Sequence, residues 1–221
     1  MKLTIVAATG GIGRLILKQA VAAGHDVTAV VRNPAKVTAD VRVVQADLSR
    51  PDPVTLAAAM EGADAVLSGL GGNSRADEDV AAGGTRAIVT AMRAAGVHRL
   101  IVVSAAPIGT VPSPGRPHPP KHDPGDGFMM RHLLGLVVKA AFRGHYADLA
   151  RMEDVLRDSG LDWTVVRPPR LTDKPATGRY RTAVGRNVRG GAFISRADVA
   201  AFMLALAAQP DTAGQVLAIA H

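Results

Sequence analysis

The stretch VAATGGIGRLIL, residues 6–17, decides the fold of this chain. An apolar run from Leu3 leads into a turn rich in glycine, and a segment of helical period follows from Arg14. Such a turn places free backbone N–H groups and the positive end of a helix dipole where a pyrophosphate can sit. The alternative is a tight turn that binds no ligand. The residues of this candidate phosphate-binding loop are Thr9, Gly10, Gly11, Ile12 and Gly13.

Short apolar runs alternate with longer segments of helical period along most of the chain. This alternation predicts an α/β fold of strand-helix-strand units around a parallel sheet, and 221 residues fit a single domain over 1–221. The predicted strands are 3–7, 26–31, 42–45, 65–68, 100–104 and 162–166. The predicted helices are 14–23, 54–60 and 80–95, with glycine stops after the first and third.

Residues 107–145 break the alternation and are predicted to be a lid or loop insertion. Seven prolines in 107–127 indicate a loop, and 128–159 is predicted to be helical in two pieces that part near Gly144. The first piece carries Arg131, Lys139 and Arg143 without an acid. A cover for an active site is favoured over a helix that touches a membrane surface.

The later part of the chain, residues 167–198, is predicted to build a small C-terminal substrate lobe beside the sheet. Short strands are expected near 178–184 and 192–194. The sequence from Ser195 to Asp198 is typical of a capping box that starts a helix over 199–208, and a last strand is predicted over 216–219.

Residues that could contact a dinucleotide follow three of the predicted strands. Arg32 ends strand two, where a cation can pair with the 2′-phosphate of NADP(H) and an acid would instead bind the free ribose of NAD(H). NADP(H) is therefore favoured, and a plain surface charge is the alternative. Asp47 and Leu48 could flank the adenine, and the alternative for Asp47 is a helix N-cap or a turn aspartate. Leu70 and Gly71 belong to a glycine-rich turn after strand four that is open to the same two interpretations.

Several longer motifs occur together: Ala8-Thr9-Gly10-Gly11-Ile12-Gly13, Val27-Thr28-Ala29-Val30-Val31-Arg32, Val102-Val103-Ser104-Ala105, residues 159–169, Leu171-Thr172-Asp173 and residues 194–200. With them, nearly the whole chain resembles the atypical short-chain dehydrogenase/reductases, a group that includes biliverdin reductase B (flavin reductase) and NmrA-like proteins. Ala7 departs from the group's pattern, which has glycine there. Alanine is tolerated at this position if its backbone angles are ordinary.

The resemblance implies a Rossmann-like domain that binds NADP(H), with NAD(H) less favoured. It places the glycine-rich loop and Arg32 on the phosphates, and Asp47 and Leu48 near the adenine. Leu70 and Gly71 are expected in the same cofactor site. The nicotinamide would lie among Ser104, Pro168 and Pro169. The lid region is longer here than in biliverdin reductase B, so the resemblance says little about the substrate.

The expected chemistry follows from a missing pair of residues. Many short-chain dehydrogenases use Tyr-x-x-x-Lys, in which the lysine lowers the pKa of the tyrosine. Here Ala150 stands four residues after Tyr146, and Val184 stands four residues after Tyr180. Hydride transfer to a conjugated acceptor such as a flavin, quinone or tetrapyrrole needs little acid catalysis by the protein. The sequence therefore predicts an NADPH-dependent reductase of that kind.

Four side chains are candidates for this reaction. Ser104 would contact the nicotinamide or the acceptor, Tyr146 or Asp148 would assist a proton, and Arg170 would hold an acidic substituent. The plain alternatives are a strand-end hydroxyl bonded to backbone for Ser104 and a packed ring for Tyr146. The rival function is a non-catalytic redox sensor, NmrA-like, that binds NADP(H) and regulates a partner.

Composition excludes further classes. The absence of cysteine excludes disulfides and thiolate chemistry, and Pro119 and Pro120 between His118 and His122 exclude a helical metal pair, so no metal is expected.

Net charge is +7, with eight cations against two acids in 167–198, yet only 3% of residues are aromatic. A small acidic acceptor is favoured over nucleic acid, with a solvated cationic face as the alternative. We expect a cytoplasmic monomer or weak homodimer without stable membrane insertion.

Overall fold

The alternating apolar runs form a mostly parallel sheet in the computed structural model, which describes residues 1–71, 79–126 and 143–221. Within these residues the main sheet has eight strands in the order β3-β2-β1-β4-β5-β6-β10-β8, and only β8 runs antiparallel to its neighbour. The strands are β1 Lys2–Val6, β2 Asp26–Val31, β3 Arg42–Gln45, β4 Ala65–Ser68, β5 Arg99–Val103, β6 Asp162–Arg167, β7 Arg170–Thr172, β8 Arg181–Val184, β9 Phe193–Ser195 and β10 Gln215–Ala220.

Helices cover both faces of this sheet. The described helices are α1 Gly13–Ala22, α2 Pro53–Met60, α3 Val80–Ala94, α4 Arg143–Arg157 and α5 Arg196–Leu206. Alternate residues of β1 point to opposite faces: Leu3 and Ile5 join the core under α1 and α5, whereas Val6 joins the core under α2, α3 and α4. Both cores are apolar because a parallel sheet is buried on its two faces.

The predicted α/β fold with a doubly wound parallel sheet is confirmed. β2, β3 and β4 have the predicted bounds, and β1, β5, β6 and β10 differ from theirs by one residue at one or both ends. The capping box is present as predicted, since Ser195 Oγ accepts a hydrogen bond of 2.9 Å from the Asp198 N–H. This cap starts α5 at Arg196, three residues earlier than expected.

The structure corrects part of the predicted substrate lobe. β7 was not predicted, and it pairs in parallel with β9 to form a separate two-stranded sheet. β8 is shorter than 178–184 because Gly178 has a left-handed backbone, with φ of 64°. It extends the main sheet beyond β10 instead of joining the lobe.

The predicted lid lies only partly within the described residues. Residues 106–110 form a short 3-10 helix at the start of the proline-rich segment. The predicted basic helix piece that includes Arg131 and Lys139 lies outside the described residues. Across residues 1–71, 79–126 and 143–221, no helix combines the length and the apolar character needed to cross a bilayer.

Candidate functional site

The glycine-rich loop joins the carboxyl end of β1 to α1 and is packed against its neighbours. The N–H of Gly10 donates to the carbonyl of Ala7 at 2.9 Å. A Cβ atom on Gly13 would lie 2.1 Å from the same carbonyl oxygen, and one on Gly69 would lie 2.9 Å from the Gly13 nitrogen. Gly13 and Gly69 are therefore required for the close approach of α1 to the ends of β1 and β4.

The loop presents hydrogen-bond donors. Among the described residues, none accepts a hydrogen bond from the N–H groups of Gly11, Ile12 or Gly13, and no side chain caps α1. Gly11 is exposed. Unpaired N–H groups at a helix N-terminus bind anions, and the missing Cβ atoms allow a ligand to approach the backbone closely. These donors fit the pyrophosphate of a dinucleotide.

Ala7 does not have the ordinary backbone angles at which an alanine is tolerated without strain. Its φ is +56°, which is the left-handed region that favours glycine. The conformation is needed because the Ala7 carbonyl must turn toward Gly10 and Gly13. The loop thus has a backbone conformation that suits glycine, although the residue is alanine. This lowers the stability of the fold by about 1 kcal/mol.

Basic residues line the side of the loop that faces β2. A cavity of about 480 Å³ is bordered by Thr9, Arg14 and Lys36 among others. Arg32 is exposed immediately after β2, and its charge contributes to lowering the pKa of Asp47. The pairing of Arg32 with a 2′-phosphate stays a prediction, and the cations there can attract such a group.

Asp47 forms a turn, and Leu48 contributes to an apolar surface. The Ser49 N–H and hydroxyl donate to Asp47 Oδ1 at 2.9 and 2.8 Å, and these two bonds are the main reason that the pKa of Asp47 is lowered. Leu48 and Leu70 both lie against Gly84 of α3. The two leucines are thus close together at the edge of the sheet, whereas their predicted contact with adenine stays a prediction.

Ser104 follows β5 and belongs to a buried polar network. Its N–H donates to the Val166 carbonyl at 2.8 Å, and its hydroxyl donates to Glu153 Oε1 at 2.8 Å. Glu153 also accepts from Arg167 Nε at 2.8 Å and from Arg157 at 2.9 Å. Ser104, Glu153 and Arg167 are all buried. The hydroxyl is bonded to a carboxylate on α4 and not to backbone.

Sequence reasoning missed Glu153, although a signal was present. On α4 the buried positions Leu149, Met152 and Leu156 recur at helical spacing, and Glu153 lies on the same face. An acid in an apolar stripe is rarely left unpaired, so this position called for a cation on a neighbouring element.

The cations of 167–198 do not form one free basic face. Arg167 pairs with Glu153, and Arg196 pairs with Asp173 at 2.9 Å. Arg170 is exposed at the first residue of β7. Pro168 is buried immediately after β6, and its carbonyl accepts the Ala106 N–H at 2.9 Å, while Pro169 is half-buried.

The two proton-transfer candidates on α4 have different surroundings. Tyr146 is half-buried, and burial raises the pKa of its hydroxyl. Asp148 is 1% exposed, and its carboxylate accepts the N–H groups of Ala81 and Ala82 at 2.8 and 3.1 Å. The structure therefore gives Asp148 the role of capping α3, and its carboxylate is enclosed rather than offered to a substrate.

A second residue missed from the sequence is Arg196, which begins α5. A Cβ atom on Gly11 would lie 3.2 Å from Arg196 Nε, so the guanidinium lies beside the glycine-rich loop. Nothing in the local sequence indicates that the start of α5 meets the start of α1. For metals, the described residues contain no group of three or more side chains able to hold an ion.

Comparisons with known proteins agree with this geometry. A family model described as NAD(P)H-binding matches residues 7–210. A relative from Bacillus subtilis (strain 168), named as the uncharacterized sugar epimerase YhfK, is 30% identical over 221 residues, which are 96% of this chain and 90% of that protein.

Two solved structures are similar over the whole chain. ChuY, described as an anaerobillin reductase from Escherichia coli O157:H7, is 27% identical with a TM-score of 0.76, and the match covers 100% of this chain and 97% of that one. The oxidoreductase YlbE from Lactococcus lactis has a TM-score of 0.79 at 22% identity, with 100% and 91% covered, and shows a shared fold.

Proposed function

Because the chain belongs to the NAD(P)H-binding family, we propose that it is an NADPH-dependent reductase that transfers hydride to a conjugated acceptor such as a flavin, quinone or tetrapyrrole. The observation that carries the proposal is the set of unpaired N–H groups of Gly11, Ile12 and Gly13 at the start of α1. They suit a pyrophosphate at the carboxyl edge of the sheet, where ligands of open parallel sheets bind.

The choice of NADP(H) over NAD(H) rests on charge. Arg14, Arg32 and Lys36 lie around the end of β2, and Arg32 stands where an acid would be expected for NAD(H). A 2′-phosphate carries close to two negative charges and forms strong hydrogen bonds with guanidinium groups. These cations would hold it and would gain little from an uncharged ribose.

Ser104 and Glu153 would orient the reacting groups. Since the Ser104 hydroxyl donates a hydrogen bond to Glu153, its oxygen is left to accept one. Such an oxygen suits the amide N–H₂ of a nicotinamide ring. A reduced nicotinamide, when bound, supplies a hydride. Pro168 beside Ser104 would keep water away from the site on one side.

The proton that accompanies the hydride would come from solvent. The raised pKa of Tyr146 makes ionisation of its hydroxyl harder, and no lysine follows it at the fourth position. Asp148 is enclosed by the N–H groups that it caps. A conjugated acceptor tolerates this arrangement because positioning supplies much of the rate. The relative ChuY, described as an anaerobillin reductase, supports a tetrapyrrole as acceptor.

An acidic acceptor suits the lobe formed by β7 and β9. Arg170 is exposed at the first residue of β7 and could hold a carboxylate or phosphate substituent. If the KM for a neutral quinone equals the KM for an anionic flavin, this part of the proposal is wrong.

The first experiment is a titration of the purified protein with NADPH and NADH, followed by addition of FMN, a quinone or biliverdin while the nicotinamide absorbance is recorded. Tight NADPH binding with steady oxidation supports the reductase. Tight binding without turnover on any acceptor favours the rival sensor function. Failure to bind either nucleotide overturns both functions.

The cofactor preference has its own test. We expect Arg32→Ala to weaken NADPH binding by about 10-fold to 100-fold, the usual worth of a hydrogen-bonded ion pair, and to leave NADH binding within about twofold. Arg42→Ala is the matched control because Arg42 begins β3, the strand next to β2, and so lies at the amino end of the strands, whereas Arg32 lies at their carboxyl end. Equal losses for NADPH and NADH in Arg32→Ala would assign Arg32 no part in selecting the cofactor.

A further inference from the structure

The side chain of Arg196 crosses the exposed surface of the glycine-rich loop. Built on Gly11, a Cβ atom would meet Arg196 Nε at 3.2 Å and its Cδ at 3.4 Å. Gly11 is exposed, and its N–H has no acceptor among the described residues. The Arg196 guanidinium therefore lies next to the backbone of a loop residue whose N–H is free.

The partner of this guanidinium is Asp173, which follows β7. Arg196 Nη1 lies 2.9 Å from Asp173 Oδ1, with side-chain exposures of 28% and 74%. Exposed ion pairs contribute little to stability, because water competes for both charges. A multiply charged anion at the loop can therefore replace Asp173 as the partner of Arg196.

The surroundings allow and favour that exchange. Arg196 is the first residue of α5, where the positive end of the helix dipole disfavours a cation unless an anion is near. Arg196 and Asp173 both border a cavity of about 410 Å³, together with Lys18 and Lys174. The guanidinium has open space on one side, so it can rotate without displacing core atoms.

We propose that Arg196 binds the pyrophosphate of the dinucleotide together with the loop N–H groups, and that it releases Asp173 when it does so. The inference rests on dinucleotide binding and not on the identity of the acceptor. Asp173 joins β7 to residues 174–176, and Asp198 holds the next residues, Thr177 and Gly178, through their N–H groups. Release of Asp173 therefore loosens residues 173–176, while Thr177 and Gly178 stay held. Binding of the cofactor thus alters the proposed substrate lobe through the Arg196 side chain.

Binding measurements separate this role from a structural one. Arg196→Met should weaken NADPH binding by about 10-fold to 100-fold, as expected for loss of a charge-assisted hydrogen bond. It should leave binding of 2′-AMP, which has the adenosine and 2′-phosphate but no pyrophosphate, within about twofold of wild type. Arg179→Met makes the same change of charge at an exposed site and should alter neither ligand. Unchanged NADPH binding in Arg196→Met, or an equal loss of 2′-AMP, overturns the proposal.

A second measurement follows the release of Asp173. Asp173→Asn should tighten NADPH binding by about twofold to fivefold, since a weak competitor for Arg196 is gone. Saturating NADPH should raise hydrogen exchange of the peptide covering 173–176 in the wild type, and Asp173→Asn should exchange at the raised rate without ligand. If NADPH does not change the hydrogen exchange of this peptide in the wild type, the proposed release of Asp173 is wrong. If the wild type binds no dinucleotide at all, the proposed function itself fails, which is a different outcome from a normal affinity that Arg196 does not influence.

Discussion

At the scale of single residues, Ala7 stores strain in the candidate phosphate-binding loop. A left-handed backbone costs an alanine about 1 kcal/mol relative to glycine, and part of this is offset because glycine loses more chain entropy on folding. We expect Ala7→Gly to stabilise the protein by about 0.5 kcal/mol and to raise Tm by about 1 to 2 °C. The measurement is thermal unfolding followed by circular dichroism.

A matched control for this change is Ala23→Gly. Ala23 is exposed at the end of α1 and has an ordinary φ of −84°, so glycine there should lower the stability. A fall in Tm of the same size in both variants would mean that the Ala7 backbone is not strained.

At the scale of elements, Asp148 of α4 is hydrogen-bonded to the start of α3 and holds the two helices together. Its carboxylate accepts two N–H groups of the first turn of α3 at 2.8 and 3.1 Å in a buried place. Asp148→Asn replaces one acceptor oxygen by a donor, so we expect the free energy of unfolding to fall by about 2 kcal/mol. Urea unfolding measures this, and turnover per folded molecule should stay near the wild-type value.

Asp158→Asn provides the comparison, since Asp158 is exposed after α4 and should change stability by less than about 0.5 kcal/mol. If Asp148→Asn instead abolished turnover and left the stability at the wild-type value, Asp148 would be a proton donor in the reaction.

The pair of Glu153 and Arg167 fastens α4 to the end of β6. Replacing one partner of a buried pair leaves an uncompensated charge, so Glu153→Gln should destabilise the protein by about 3 to 5 kcal/mol. The double variant Glu153→Met/Arg167→Met removes both charges and should be more stable than Glu153→Gln. Urea unfolding of both variants tests this, with exposed Glu61→Gln as control. A double variant less stable than the single one would contradict the account.

At the scale of the whole molecule, Asp198 links α5, the 177–178 turn and His221. Burial acts to raise the pKa of Asp198, but hydrogen bonds from Ser195, Gly178, Thr177 and His221 outweigh it and hold the pKa below 3.8. Because the folded-state pKa is lowered, the stabilisation is complete above about pH 5 and is lost as pH falls through the folded-state pKa.

The corresponding prediction concerns acid unfolding. The free energy of unfolding of the wild type should fall between about pH 5 and pH 2, and the fall should be shallower in Asp198→Asn. Urea titrations at successive pH values measure both slopes. Asp26→Asn, at an exposed position, should keep the wild-type slope. An unchanged slope in Asp198→Asn would place the acid sensitivity elsewhere.

The sequence predicted what depends on local period and missed what depends on packing. β2, β3 and β4 were predicted to the residue because each contains a short run of apolar or β-branched residues bounded by polar or turn-forming ones. β7 was not predicted because its three residues, Arg170–Thr172, are exposed or half-buried and show no alternation of apolar and polar side chains long enough to indicate a strand.

The same distinction holds for the candidate site. The glycine-rich turn between β1 and α1 was predictable because it consists of consecutive residues, and its binding of a phosphate stays a prediction. The contacts of Ser104 with Glu153 and of Gly11 with Arg196 join residues far apart in the chain. Local pattern does not determine such contacts, so they became known only from the folded structure.

The position of β10 has a consequence for how the protein is made. β10 lies between β6 and β8 in the sheet, yet both of these strands precede it in the chain. Until residues 215–220 leave the ribosome, β6 has an open edge and β8 has no neighbour with which to pair. Open edges of apolar strands attract other chains. The nascent chain is therefore expected to be most prone to association with other chains in the interval before β10 emerges.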